Sequence, residues 1–311
     1  MANNFDIYEM INRKIIDLLQ QGTVPWKMSW VKAGVASPKS FSTSRIYGGI
    51  NFFNLLISAL ANKYSSRYWA TYKQIVASGG NVRKGSQSEQ VVFWKFINMV
   101  KKDESGKTVF KDGEAVIDKV PFLRYYNVFN LNQTEGIPEK LLPADNSTVP
   151  VINKGTGAIS ACEKLIIQYK DKPDIYHGEQ KAYYNPISDY INIPSIQTFS
   201  GPEEYYSCLF HELVHSTGHE NRLDRNLLNQ RHGDSNYSLE ELIAEAGASY
   251  LCAETGIEQV TIENNVAYIQ GWLSKLCNDK KFLVTAFGRA QKAVDYIRGD
   301  ASNCLQAPSV A

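Results

Sequence analysis

The stretch His211-Glu212-Leu213-Val214-His215 decides how this chain is read. It has the form H-E-x-x-H. On a helix, positions i and i+4 stack on one face, so both imidazoles reach a single cation. Two neutral imidazoles and a carboxylate suit zinc, with a fourth position open to water; manganese is the alternative. Glu212 then sits beside that water as general base. The surrounding residues support a helix. Ser200-Gly201-Pro202-Glu203 has the S-x-x-E form of a capping box with proline in the first turn. Tyr206, Leu209, Phe210, Leu213 and Val214 follow as an apolar stripe, and Gly218 fits a stop. An isolated match can arise by chance on any surface helix. Here His211, His215 and His219, three of the five histidines, fall within nine residues of a capped, amphipathic segment.

Two histidines need a third ligand. Position 221 is Asn221, so a histidine six residues beyond the second is excluded, and His219 follows the breaker Gly218. The downstream segment Glu240-Glu241-Leu242-Ile243-Ala244-Glu245 offers Glu241 and Glu245 at i and i+4, with Glu240 about 100° away. Glu241 is the expected ligand. Glu245 is the expected partner of a liganding histidine's ring N–H. In the alternative, Ser238-Leu239-Glu240-Glu241 is a capping box that occupies Glu241, and Glu245 binds the cation.

With 311 residues, 43% hydrophobic and 21% charged, the chain has room for about two domains. Its start lacks a cationic segment followed by an apolar one, and no apolar run approaches a membrane span, so no membrane partner is expected. Five scattered cysteines without C-x-x-C fit reduced thiols in a cytoplasmic protein. The net charge of +1 hides an asymmetry. Residues 1–130 carry 18 basic and 9 acidic side chains; the remainder carries 15 and 23. Four of five tryptophans lie in the basic part. A basic, aromatic-rich unit points to nucleic acid.

The periodicity predicts helices over 5–21, 50–61, 152–169, 239–254, 262–276 and 280–297. Strands are expected over 68–72, 90–96, 122–131, 182–185 and 190–194, with a solvated hairpin insertion at 101–119. The expected fold class is α+β in two domains: a mixed α/β domain over 1–135, a proline-containing linker over 136–150, and a second domain over 151–300. Residues 301–311 are expected to fray. A helix, a short antiparallel sheet and an H-E-x-x-H helix, in that order, is a zincin layout of the gluzincin type.

The residues also resemble a known family. GTVPWKMSW (22–30), YGGINFFNLL (47–56), RYWATYKQIVASGGNVRKGSQSEQVVFW (67–94) and YYNVFNLNQTEG (125–136) resemble the N-terminal domain of ArdC-type antirestriction proteins. HELVHSTGHENRL (211–223), YSLEELIAEAGASYLC (237–252) and YIQGWL (268–273) resemble that family's zincin-type metallopeptidase domain, which is similar to the SprT/Spartan class. The resemblance implies a single-stranded DNA-binding domain joined to a peptidase that acts on proteins associated with DNA. It further implies a place on plasmids and other mobile elements, where such proteins protect incoming DNA. A DNA-coating protein with a structural or inactive metal site is the alternative.

On single-stranded DNA, bases stack on aromatic rings while lysine and arginine neutralise the backbone. The expected stackers are Trp26, Trp30, Tyr68, Trp69 and Tyr72; for each aromatic alone, a place in the core is the competing reading. The expected phosphate contacts are Lys27, Arg45, Arg67, Lys73, Arg83 and Lys84, the last two in a glycine-flanked turn.

Overall fold

The computed structural model describes residues 6–30, 33–102, 106–111, 113–144, 156–225, 235–257 and 266–300. The expected frayed tail and positions 145–150 of the expected linker lie outside them.

The first segment begins with α1 (Ile7–Gln20), capped by the Asp6 carboxylate, which accepts from the Tyr8 and Glu9 N–H groups. Ile11, Ile15 and Leu19 form its buried face. β1 (Lys39–Ser40) precedes α2 (Ile50–Ala61), which is buried on nearly every side. Next come β2 (Tyr68–Thr71), α3 (Tyr72–Ala77), β3 (Asn81–Val82), β4 (Glu89–Val100), β5 (Phe110–Lys111), β6 (Glu114–Ala115), β7 (Ile117–Asn130) and β8 (Thr134–Glu135). The main sheet has the order β1-β2-β7-β4. β4 and β7 form a long antiparallel ribbon, from Glu89 opposite Val128 to Val100 opposite Ile117. The expected hairpin insertion ends this ribbon, with Phe110 opposite Ala115.

Two asparagines join α2 to that ribbon. Asn51 Nδ2 donates to the Val92 carbonyl at 2.7 Å and its Oδ1 accepts from the Val92 N–H at 2.8 Å, while Asn54 donates to the Gln90 carbonyl. A buried amide that satisfies both groups of one strand residue fixes helix against sheet without an orphaned polar atom.

The second segment contains α4 (Thr156–Gln168), β9 (Asp174–Tyr176), β10 (Tyr183–Asn185), β11 (Tyr190–Asn192), α5 (Pro202–Ser216), α6 (Ser235–Thr255), α7 (Val266–Asn278) and α8 (Phe282–Ile297). Its sheet has the order β10-β11-β9, with β10 antiparallel and β9 parallel to β11.

One hydrophobic cluster runs through both segments. Trp26 packs edge-on against Trp272 at 5.5 Å and Phe287 at 5.8 Å, and Phe53 lies 4.7 Å from Phe287. Gly49 starts α2 at φ +59°, which favours glycine. Its N–H donates to Gln291 Oε1 and its carbonyl accepts from the Tyr250 hydroxyl at 2.9 Å. Residues some 200 positions apart thus share one core. Among the described residues no helix is long and apolar enough to cross a membrane.

Candidate metal centre

The expected metal helix is α5. Its start differs from the expected capping box: the N-cap is Gly201, which has no side chain to cap with. Glu204 instead accepts from the Ser200 N–H at 2.8 Å, and Glu203 and Glu204 place negative charge in the first turn, where the helix dipole favours it. Tyr206, Leu209, Phe210, Leu213 and Val214 are buried as a stripe. α6 packs against that stripe, and Gly247 permits the approach. A Cβ there would lie 2.7 Å from Val214 Cγ2.

This packing brings Glu241 to the histidines. His211 Nε2 and His215 Nε2 are 3.0 Å apart, and the two Glu241 oxygens lie 3.6 Å from the first and 3.5 Å from the second. Donors that share a tetrahedral ion at about 2.0–2.2 Å are separated by roughly 3.3–3.6 Å. The two carboxylate distances fall in that range and the imidazole nitrogens stand a few tenths of an ångström inside it, so the donor set suits a divalent cation, and His211, His215 and Glu241 form the metal-capable group among the described residues. His211 and Glu241 keep 25% and 30% of their side-chain surface exposed, so the group opens to solvent on one side. Burial pulls the His211 imidazole down, but the Glu241 and Glu212 carboxylates outweigh it and raise His211 to about 9. Glu212 is buried, and its charge is among those that raise His211.

Glu245 does not orient a histidine. Its carboxylate accepts from Trp26 Nε1 at 2.9 Å and from the Tyr268 hydroxyl at 2.5 Å, and pairs with Lys27 at 3.2 Å. The histidine's partner is Glu240, whose Oε1 lies 3.3 Å from His215 Nδ1. The reason is geometric. Here Glu240 lies on the Nδ1 side of His215 and Glu241 on its Nε2 side. Adjacent residues on α6 straddle the ring. Arg225 holds Glu240 in a two-pronged pair, Nε to Oε2 at 2.9 Å and Nη2 to Oε1 at 2.7 Å, and also donates to the Thr217 hydroxyl and the Val214 carbonyl. Burial raises the Glu240 carboxyl, but Arg225 and His215 overcome it and leave it lowered. His219 instead accepts from the Asn221 N–H.

A second arginine ties the small sheet to α5. Arg222 grips both Asp189 oxygens at 2.8 Å and donates to the Ser216 carbonyl at 2.9 Å, locking the β10–β11 turn to the end of the metal helix. Sequence reasoning missed Glu240, Arg222 and Arg225. The available signals were the Glu240-Glu241 doublet and the R-x-x-R spacing just after the histidines.

The expected DNA contacts divide into two groups. Trp26, Trp30, Tyr68 and Trp69 are at most 2% exposed, so no base can stack on them from solvent. This corrects the expectation: their rings complete the cores. Lys27 pairs with Glu245 and lies 3.8 Å from the Tyr268 ring centroid, so it serves the interior too. Arg67 is half-buried and donates to the Ser37 carbonyl. Arg45, Tyr72, Lys73, Arg83 and Lys84 are exposed. The last four lie on α3 and around β3, and Gln74 of α3 donates to Ser42, in the turn that carries Arg45.

Comparison with known proteins places this geometry. Residues 5–129 match the model of the N-terminal domain of anti-restriction factor ArdC, and residues 161–289 match that of zincin-like metallopeptidases. The uncharacterized protein y4eC of Sinorhizobium fredii is 31% identical over 96% of this chain and 93% of its own length. A DNA primase TraC of Escherichia coli is 30% identical over 93% of this chain, which spans 27% of that protein. The metal-free crystal structure of antirestriction protein ArdC from plasmid R388 is 36% identical, with a TM-score of 0.70 over 97% of this chain and all of that one. The Mn(II)-bound structure of the same protein is 35% identical and superposes at 0.73 over 96% and 99%. Similarity of that identity and extent, across both segments, means that this chain belongs to the ArdC family of antirestriction proteins, joining the ArdC N-terminal domain to a zincin-like metallopeptidase domain with a His-His-Glu metal site.

Proposed function

We propose that this antirestriction protein is a zinc-dependent peptidase, with manganese as the alternative cation, that acts on proteins associated with DNA. We propose too that its basic segment binds single-stranded DNA without sequence preference. The observation that carries the peptidase reading is the His211–His215–Glu241 donor group with buried Glu212 close enough for its charge to raise His211. A site that only held structure together would not need Glu212.

A divalent cation held there supplies Lewis acidity toward a carbonyl and toward water. The chain's own residues do the rest. Glu240 accepts from His215 Nδ1–H, fixing the tautomer whose Nε2 lone pair faces the donors. Glu212 takes the proton of the attacking water and delivers it to the leaving amine. Among the described residues β10 is an edge strand of its sheet and packs against α5, so an extended peptide could add beside it. Glu212→Gln should keep cation binding while slowing cleavage of a DNA-associated protein by about 10²–10⁴-fold. A wild-type rate would overturn the mechanism. Full protection against restriction in cells by this variant would instead support a DNA-coating protein.

The DNA reading rests on the basic excess of residues 1–130 and on the exposed set Arg45, Tyr72, Lys73, Arg83 and Lys84. Affinity for oligothymidylate should fall steeply with salt, by about 0.7 in log–log slope per neutralised phosphate. A flat salt response would refute it.

A further inference from the structure

Three tyrosines from three different strands form a ladder across one face of the small sheet. Tyr183 on β10, Tyr190 on β11 and Tyr176 on β9 meet edge to face, with centroids 6.0 Å and 5.5 Å apart. The strand register explains it. Tyr190 stands opposite Asn185 and Asp174, while Asn192 stands opposite Tyr183 and Tyr176, so all six residues point to the same side. The opposite side carries Ile191, Ile175 and Tyr184 and packs into the core. Tyr176 is 52% exposed, far above what packing against the protein would leave.

Two carboxylates edge the ladder. Asp174 Oδ2 accepts from the Tyr176 hydroxyl at 3.4 Å, and Glu179 Oε1 accepts from the Tyr183 hydroxyl at 3.0 Å. The Tyr183 and Tyr190 hydroxyls are 3.1 Å apart, so the phenols form a short chain ending on Glu179. Among the described residues neither carboxylate makes an ion pair, although both are exposed. Exposed ring faces attract cations through their quadrupole, and an adjacent unpaired carboxylate adds to that attraction. The same carboxylates oppose a nucleic-acid backbone, as does the acidic excess beyond residue 130.

We infer that this face binds a lysine- or arginine-bearing stretch of polypeptide. The inference rests on the peptidase reading for its purpose, because the ladder starts on β10, the strand beside the metal helix. A chain lying along that edge carries its neighbouring side chains over the rings. It names the substrate class as cationic protein segments, the kind that nucleic-acid-binding proteins expose.

The test uses the full chain with chelator present, so that hydrolysis plays no part. Fluorescence anisotropy follows a labelled nona-lysine, a labelled nona-glutamate and an oligothymidylate of similar length. Asp174→Asn/Glu179→Gln and Tyr176→Ser/Tyr183→Ser/Tyr190→Ser are compared with Glu135→Gln/Glu139→Gln, which removes equal charge at and just beyond the end of the first segment. Wild type should bind nona-lysine, and both ladder variants should bind it about tenfold more weakly, while the control changes less than about twofold. If the tyrosine variant does not fold, the carboxylate variant decides alone. Three results would overturn the inference: no nona-lysine binding by wild type, equal weakening in the control, or ladder variants that lose oligothymidylate rather than peptide. Nona-lysine binding that survives while no protein is cleaved would end the peptidase reading and leave this surface standing.

Discussion

Replacing Glu240 by Gln would separate the orientation of a metal ligand from the stability of the fold. The side chain keeps its shape but loses its charge. His215 Nδ1–H then faces a weaker acceptor at a site 3.3 Å away. Loss of such an outer partner weakens metal affinity by about 10–100-fold. The same change leaves the Arg225 guanidinium without its anion, and both side chains are only 6% exposed. Breaking one side of a buried pair costs about 3–5 kcal/mol. At about 2–4 °C per kcal/mol for a chain somewhat smaller than this one, the metal-free protein should melt roughly 10 °C lower. Adding Arg225→Met removes the stranded charge, so the double variant should recover much of the stability and none of the affinity. Isothermal titration with Mn²⁺ or Zn²⁺, run well below the melting temperature, reads the first quantity; thermal unfolding followed by circular dichroism reads the second. Wild-type affinity in Glu240→Gln, or affinity restored by Arg225→Met, would refute the orienting role.

Other outcomes follow from the same geometry. His211 sits at about 9 without a cation, above its unfolded value, so its contribution to metal-free stability is full below about 6.5 and is lost as pH rises through about 9. Cation affinity should move the other way, rising by up to about tenfold per pH unit across that window because a proton must leave His211; a pH-independent affinity would contradict the assignment. Trp26→Ala should destabilise by about 3–5 kcal/mol in chemical denaturation while the salt slope of oligothymidylate binding stays unchanged. Lys73→Ala/Arg83→Ala/Lys84→Ala should lower that slope by about 2 with little effect on stability, provided all three meet phosphates. Gly247→Ala should cost about 1–3 kcal/mol by pushing α5 from α6, and should weaken cation binding because the two helices carry opposite halves of the site.

The legible parts of the sequence were those fixed by one helix. His211 and His215 share one face by the α-helical period alone. Glu241 follows because it needs only one more helix with an acidic residue on the facing side. Glu240 was hidden because face-counting looks for carboxylates at i and i+4, whereas here two adjacent residues of α6 lie on either side of the His215 ring. Arg225 was hidden because it sits in the irregular chain after α5, where no periodicity marks its direction. Trp26 was misplaced because the short segment around Pro25 and Lys27 gives no sign of which surface it meets. The surface is supplied by Trp272 and Phe287, more than 240 residues further on. The same distance effect hid the contact between the two domains, whose hydrophobic residues form one continuous cluster. The tyrosine ladder was absent from the sequence reading because it depends on the register of three strands.

Metal analysis of the purified protein after saturation and desalting tests the account most directly. One divalent ion per chain in the wild type, and none in His215→Ala or Glu241→Ala proteins that still fold, is the expected result. An ion retained by both variants, or a wild type that emerges metal-free from saturating zinc and manganese, would contradict the centre on which the peptidase reading depends.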